Sequence, residues 1–347
     1  MGIIASSSSP NEEDHYRILQ PSTLAKSEYK NKSILITGAS RGLGRSLALT
    51  LSTCNPSLLI LSGRDEAALK TVQEECYVLL FQSSRGGGAV ERKIMKVEIV
   101  VCDLANRASV EQLAETSLNL ARDHHLSSDN TNSSGTIDIL INNGGISSRS
   151  SFLETSIDVD ERVMQVNFFA GVTLAKKLVP SMIDVEGMSS TSSTGEKTTT
   201  TKKKRIIWIS SIQGKLGTPY RSSYAASKFA IQGYCESLRS ELSSSNVDVH
   251  IVSPGYIRTN LSQSAVMGDG RSYSKTDETT ANGADPDKVA VDILNAVAAG
   301  NTDFVVAATL SAKIAIWIRF LLPSVLNRIL VKRFEKQRLG LLKEKDE

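Results

Sequence analysis

Three side chains suited to acid–base chemistry stand close together in the stretch SSIQGKLGTPYRSSYAASKFA. They are the hydroxyl of Ser211, the phenol of Tyr224 and the amine of Lys228. Tyr224 and Lys228 lie four residues apart in a run of good helix formers, which places them on one helix face. That spacing is also common on surface helices, where it carries no chemistry. The pair gains meaning only if the rest of the chain builds a site around it.

The elements that would position these residues are legible as apolar runs. SILITG, SLLILSG, KVEIVVCDL, IDILINNGG, RIIWISS, VDVHIVSPG and TDFVVA alternate with helix-like stretches. Short, almost wholly apolar strands separated by helical segments predict a parallel sheet buried on both faces. Right-handed crossovers then give an α/β, Rossmann-like, doubly wound fold of about seven strands. Three polar stretches, near 82–92, 126–136 and 187–204, read as surface insertions in a single domain over 31–308. Residues 1–30 read as a flexible extension, and 309–347 as a basic amphipathic one.

ITGASRGLGRSLALT follows the first strand and opens a helix, with Gly38, Gly42 and Gly44 in T-G-x-x-x-G-x-G spacing. Glycines let the backbone turn tightly and approach a pyrophosphate. The helix N-terminus adds free N–H groups and a positive dipole end. The placement between strand and helix predicts a dinucleotide site. An NAD binder carries an acid at the end of the second strand. Here that strand ends LLILSGRDE, and Arg64 occupies the place; with Arg41 in the loop it favours a 2′-phosphate, hence NADP(H). Asp65 keeps NAD(H) open as the alternative. Asp103, ending the third strand, suits either an adenine amine or a helix N-cap. Asn142 and Asn143 end the fourth strand, and Gly144-Gly145 permits close approach at the sheet's carboxyl edge, where such folds bind ligands.

Composition narrows the function class. Among 347 residues, 40 basic against 37 acidic ones leave too balanced a charge for nucleic acid. Four cysteines, Cys54, Cys76, Cys102 and Cys235, form no CxxC pair, and Cys102 reads as a buried thiol. A reducing compartment follows. The histidines offer no zinc-ligand spacing, so no metal is expected. The N-terminus lacks a signal-peptide pattern. Its Gly2 and Ser6 match an N-myristoylation pattern that small residues also produce by chance.

Taken together, TGASRGLG, CDL, NNGG, Asn167, Ser211, Tyr224-x-x-x-Lys228 and Pro254-Gly255 resemble the short-chain dehydrogenase/reductase family, from about Lys32 into the 330s. SSIQGK, YAASKFAIQGY and SPGYIRTNLS look most like its member 7B subgroup. One departure is NNGG for the family's NNAG, at Gly145. The resemblance implies that Tyr224 is the general acid of carbonyl reduction. Lys228 would lower its pKa and bond the nicotinamide ribose, Ser211 would hold the carbonyl oxygen, and Asn167 a relay water. It also implies a cofactor site of Gly38, Ser40, Arg41, Gly42, Leu43, Gly44, Arg64, Asp103, Leu104, Asn143, Gly144, Tyr224, Lys228, Pro254, Gly255, Ile257 and Thr259. On position alone, Asn167 reads as an interior polar residue kinking a helix.

The polar stretch after SPGYIRTN resembles a mobile substrate lid. The tail, LSAKIAIWIRFLLPSVLNRILVKRFEKQRLG, mixes apolar and basic residues and is broken by Pro323. It suits either a membrane interface, through about 311–335, or packing on the core. An apolar tail suggests a lipophilic carbonyl or alcohol substrate, and the 7B resemblance points to an acyl- or alkyl-dihydroxyacetone phosphate. The family commonly forms homo-oligomers. Subgroup members are membrane-associated, usually through an N-terminal segment that this chain does not show. An intracellular place is therefore expected, on the endoplasmic reticulum or another organelle membrane, or else in the cytoplasm. The competing expectation is a dinucleotide-binding scaffold or sensor without turnover, its site disturbed by the insertion between Asn167 and Ser211.

Overall fold

The computed structural model describes residues 19–84, 95–127, 135–183 and 203–346. In chain order the elements are α1 (Thr23–Tyr29), β1 (Ser33–Thr37), α2 (Gly42–Ser52), β2 (Leu58–Gly63), α3 (Glu66–Ser84), β3 (Lys96–Val101), α4 (Arg107–Leu126) and β4 (Ile139–Asn142). Then come α5 (Ile157–Met164), a π-helical turn (Gln165–Phe169), α6 (Ala170–Met182), β5 (Lys204–Ile209), α7 (Ser222–Glu241) and β6 (Val247–Pro254). The last are α8 (Glu278–Ala281), α9 (Pro286–Ala298), β7 (Asp303–Val306), α10 (Leu310–Leu321) and α11 (Pro323–Asp346).

The strands form one seven-stranded sheet in the order β3-β2-β1-β4-β5-β6-β7. Every pairing is parallel. All seven expected strands are present, and the reason is burial. β1 is wholly inside, with Ile34 and Ile36 turned to one face and Leu35 to the other. The first face packs on α2, α3 and α9 through Leu47, Val72 and Ile293, and the second on α4, α6 and α7 through Leu113, Leu174 and Ile231. Edge strands β3 and β7 are less buried. The four cysteines are buried free thiols.

Four boundaries are corrected. The flexible extension through residue 30 is not free at its end: α1 is capped by Ser22, and Tyr29 is buried with its hydroxyl donating to Leu294 O at 3.0 Å. The insertion near 187–204 ends earlier, since Lys204 is already the buried first residue of β5. Those near 82–92 and 126–136 begin inside the last turns of α3 and α4. The rest of these stretches, like Gly2 and Ser6, lies outside the described residues.

Candidate active site

The carboxyl ends of the strands and the loops after them enclose one cleft of about 570 Å³. Every residue assigned to the cofactor or to catalysis from sequence lines it, except Asn167. Thus the glycine loop, Arg64, Asp103, Leu104, Asn143, Gly144, Ser211, Tyr224, Lys228, Pro254, Gly255, Ile257 and Thr259 meet in one place.

At the dinucleotide end, Gly38 turns the chain out of β1 with φ +67°, a conformation only glycine adopts freely. At Gly44 an added Cβ would stand 2.1 Å from Gly38 O, so the first turn of α2 lies directly on the loop. Arg41 is the N-cap of α2, and its side chain makes no capping bond to the helix's first amides. Their N–H groups and the positive dipole end face the cleft, which fits a pyrophosphate. Asn143 ties this loop to β4, its side-chain amide donating to Thr37 O at 3.0 Å and Gly38 O at 3.2 Å.

β2 ends at Gly63, so Arg64 is the first residue beyond it. Asp65 is engaged locally, where its Oδ1 accepts from Ala68 N at 3.0 Å in the first turn of α3. Asp103 is not the cap of α4. Asn106 is, accepting from Ser109 N at 3.2 Å, while Asp103 Oδ1 accepts from Ala105 N at 3.0 Å.

At the other end, Ser211, Tyr224 and Lys228 are buried together. Three hydrogen bonds fix α7 against the sheet. Ser210 Oγ donates to Lys228 O at 3.2 Å, and Gln232 Nε2 donates to Ser210 Oγ and Ser253 Oγ, each at 3.1 Å. Ser211 Oγ accepts from Gln213 N at 3.1 Å, and its hydroxyl lies near enough to the Tyr224 phenol to favour the phenolate. Lys228 Nζ donates to Ile209 O at 2.9 Å and lies 5.7 Å from the centre of the Tyr224 ring.

Burial dominates the electrostatics of this end. It pushes the Tyr224 phenol up from its ordinary value, outweighing the nearby Ser211 hydroxyl and the charges of Arg221 and Arg149. Those two arginines oppose the rise. Burial also pulls Lys228 down to about 8.

Asn167 stands behind the cleft wall, in the π-helical turn between α5 and α6. It lies at a helix irregularity, as its position in the sequence suggested. Its Oδ1 accepts from Ile146 N at 2.8 Å, and its Nδ2 donates to Ile146 O and Ser227 Oγ, each at 2.9 Å. It joins the loop after β4 to α7. A Cβ at Gly145 would lie 3.1 Å from Asn167 Oδ1 and 3.6 Å from Lys228 Nζ, so the departure from NNAG opens the space between those two groups.

The main feature missed from sequence is a charge cluster. Arg149 Nε donates to Asp277 Oδ2 at 3.0 Å, and Arg221 Nη2 to the same oxygen at 2.9 Å. Burial raises the Asp277 carboxyl, but Arg149 and Arg221 outweigh it and hold the carboxyl below its ordinary value. Asp277 belongs to the stretch expected to be a mobile lid. Here that stretch is held by these bonds and by a bridge between Ser148 and Val266. No local signal marks the cluster, because its members are single charged residues far apart in the chain.

Comparison with known proteins agrees with this geometry. The family model for short chain dehydrogenase matches residues 32–269. Dehydrogenase/reductase SDR family member 7B of Xenopus tropicalis is 36% identical over 324 residues, which is 93% of this chain and 92% of that protein. Its counterpart in Danio rerio is 38% identical over 308 residues, covering 89% and 87%. Among solved structures, a short chain dehydrogenase/reductase from Burkholderia phymatum in complex with NAD superposes with TM-score 0.63 at 20% identity, covering 84% of this chain and 94% of its own. An alcohol dehydrogenase from the archaeon Thermococcus sibiricus complexed with 5-hydroxy-NADP gives 0.57 at 18% identity, covering 79% and 95%. With its sheet order, its cleft and these matches, the chain belongs to the short-chain dehydrogenase/reductase family of oxidoreductases.

Proposed function

We propose that the protein is an NADP(H)-dependent oxidoreductase that reduces the carbonyl of an amphiphilic substrate, or oxidises the matching alcohol, with Tyr224 moving the proton. The observation that carries this reading is the buried meeting of Ser211, Tyr224 and Lys228 at the end of a dinucleotide-shaped cleft. When bound there, the nicotinamide supplies or accepts the hydride. Ser211 and Tyr224 hold the substrate oxygen with their hydroxyls. Tyr224 gives its proton to that oxygen as charge develops. Its raised pKa keeps it protonated at neutral pH, ready to donate. Arg221 and Arg149 stabilise the phenolate left behind. Lys228, held at about 8, exchanges protons readily near neutrality and refills the tyrosine.

Arg64 and Arg41 at the cleft support NADP(H) over NAD(H), as does the engagement of Asp65 in α3. At the substrate end Arg149 and Arg221 share a single carboxylate, which leaves surplus positive charge. This supports a ketone that carries an anionic group, such as an acyl- or alkyl-dihydroxyacetone phosphate.

Titration with NADPH and NADH, following bound-nicotinamide fluorescence, tests the cofactor. NADPH should bind about tenfold to a hundredfold more tightly, the worth of one charge-assisted contact, and Arg64→Ala should close the gap. Tyr224→Phe should lower NADPH oxidation with such a ketone by about 10²–10⁴-fold. Oxidation at the wild-type rate in that variant would end the proton role.

A further inference from the structure

The C-terminal helices carry their apolar stripe on the outside. Leu310, Ile314, Trp317 and Leu321 fall on one face of α10 at spacings of four, three and four, and are between 48% and 73% exposed. A helix that only covers a soluble core turns such a stripe inward. From Leu310 to Phe334 the chain has five basic residues, Lys313, Arg319, Arg328, Lys332 and Arg333, and no acidic one. All but Arg319 are exposed.

The inner contacts of this pair reach the mouth of the cleft. Arg319 lies 4.5 Å over the Phe229 ring and donates to Lys215 O at 3.0 Å. Phe334 stacks on Tyr220, with ring centres 5.4 Å apart. Tyr220 precedes the cleft residue Arg221, and its carbonyl accepts from Ser150 N at 3.1 Å. Just beyond Ser150, Phe152 and Leu153 are 82% and 91% exposed. Exposed apolar side chains from two distant parts of the chain therefore flank the substrate end.

We propose that α10, α11 and the Phe152–Leu153 turn dock the mouth of the cleft onto an anionic lipid bilayer. The charge pattern selects this occupant. A second copy would bring the same cations into contact with like charge, whereas anionic headgroups complement them. Among the described residues no helix is long and apolar enough to cross a membrane. The contact is therefore interfacial, with Trp317 at headgroup depth and the exposed lysines and arginines among the phosphates. A substrate dissolved in the bilayer would reach the cleft without crossing water. The docking itself needs neither cofactor nor turnover, so it stands or falls apart from the proposed reaction.

The test is flotation of the full chain with vesicles of phosphatidylcholine, with and without phosphatidylserine. A second readout comes from the two tryptophans: Trp208 is buried, so a blue shift on vesicle addition reports Trp317. The protein should float with the anionic vesicles and shift its emission, and added salt should weaken both. Paired Lys332→Gln and Arg333→Gln should weaken binding roughly 25-fold, at about fivefold per cation. Paired Trp317→Ser and Leu321→Ser should stop flotation while NADPH binding stays unchanged. Failure to float with either vesicle, equal flotation on neutral vesicles, or flotation indifferent to the Trp317 and Leu321 substitutions would overturn the proposal. So would dimers in sedimentation that those substitutions split, because the face would then belong to a second copy.

Discussion

Lys228→Met offers a test of the buried site that needs neither substrate nor cofactor. Burial lowers Lys228 from 10.5 to about 8. The unfolded chain keeps its proton up to the ordinary value, so between those limits the unfolded state binds more protons than the folded one. Stability from this group therefore rises with pH across the window, and below about 8 the full cost of the buried charge is present. At about 1.4 kcal/mol per pH unit, the cost is about 3 kcal/mol. Buried thiols act the other way. Burial raises Cys54 to about 11 and Cys76 to about 12 from 9.0, so their contribution is lost as pH rises above 9. The wild-type profile alone would mix these effects. Subtracting the Lys228→Met profile cancels the thiols and leaves the lysine. Losing the bond to Ile209 O shifts the variant by a nearly pH-independent amount. Urea denaturation at a series of pH values should then show the wild type gaining about 2 kcal/mol on the variant between pH ~7 and ~9.5. A flat difference would mean that Lys228 keeps an ordinary pKa inside the fold, and its part in the proton path would fall with it.

Three further outcomes are expected. Gly44→Ala forces a Cβ to within 2.1 Å of Gly38 O, so dinucleotide fluorescence should show NADPH binding lost and a thermal melt should show a lower Tm. Asn167→Leu strips partners from Ile146 N, Ile146 O and Ser227 Oγ, and should cost about 3 kcal/mol in a denaturant melt. Asp277→Asn leaves Arg149 and Arg221 facing each other; limited proteolysis should then cut within 261–284 faster than in the wild type, and unchanged cutting would show that the ion pairs do not hold that segment. In the wild type the Asp277 contribution should persist down to the ordinary carboxylate range and disappear as pH falls below it, because its folded pKa is depressed.

The strands and the cleft were readable because they rest on strong local rules. Doubly buried strands must be apolar throughout, as β1 and β5 are, and a glycine loop between strand and helix has few other uses. What was not readable arises from competition or distance. Asp103 and Asn106 both suit a cap and stand three residues apart; only the path of the chain gives the cap to Asn106. Asn167 marks a helix irregularity in VMQVNFFAGV, but nothing there specifies its π-helical form. The Arg149–Asp277–Arg221 cluster joins three loops, and no spacing rule connects them. Burial dominates the Tyr224 phenol, and the two arginines of that cluster oppose it from loops that no spacing rule links to Tyr224.

The parallel sheet has a further consequence. In such a sheet every connection from a strand to the next helix lies at one edge, and every return from helix to strand lies at the other. The three long polar insertions all fall on returns, before β3, β4 and β5. Their attachment points, such as Ile183 and Lys203, therefore sit across the sheet from the cleft. Chain length on that side is decoupled from the spacing of the reacting groups. The 183–203 junction is thus a natural port: a reporter domain or an affinity handle spliced in there would ride on the protein while the opposite face kept its geometry.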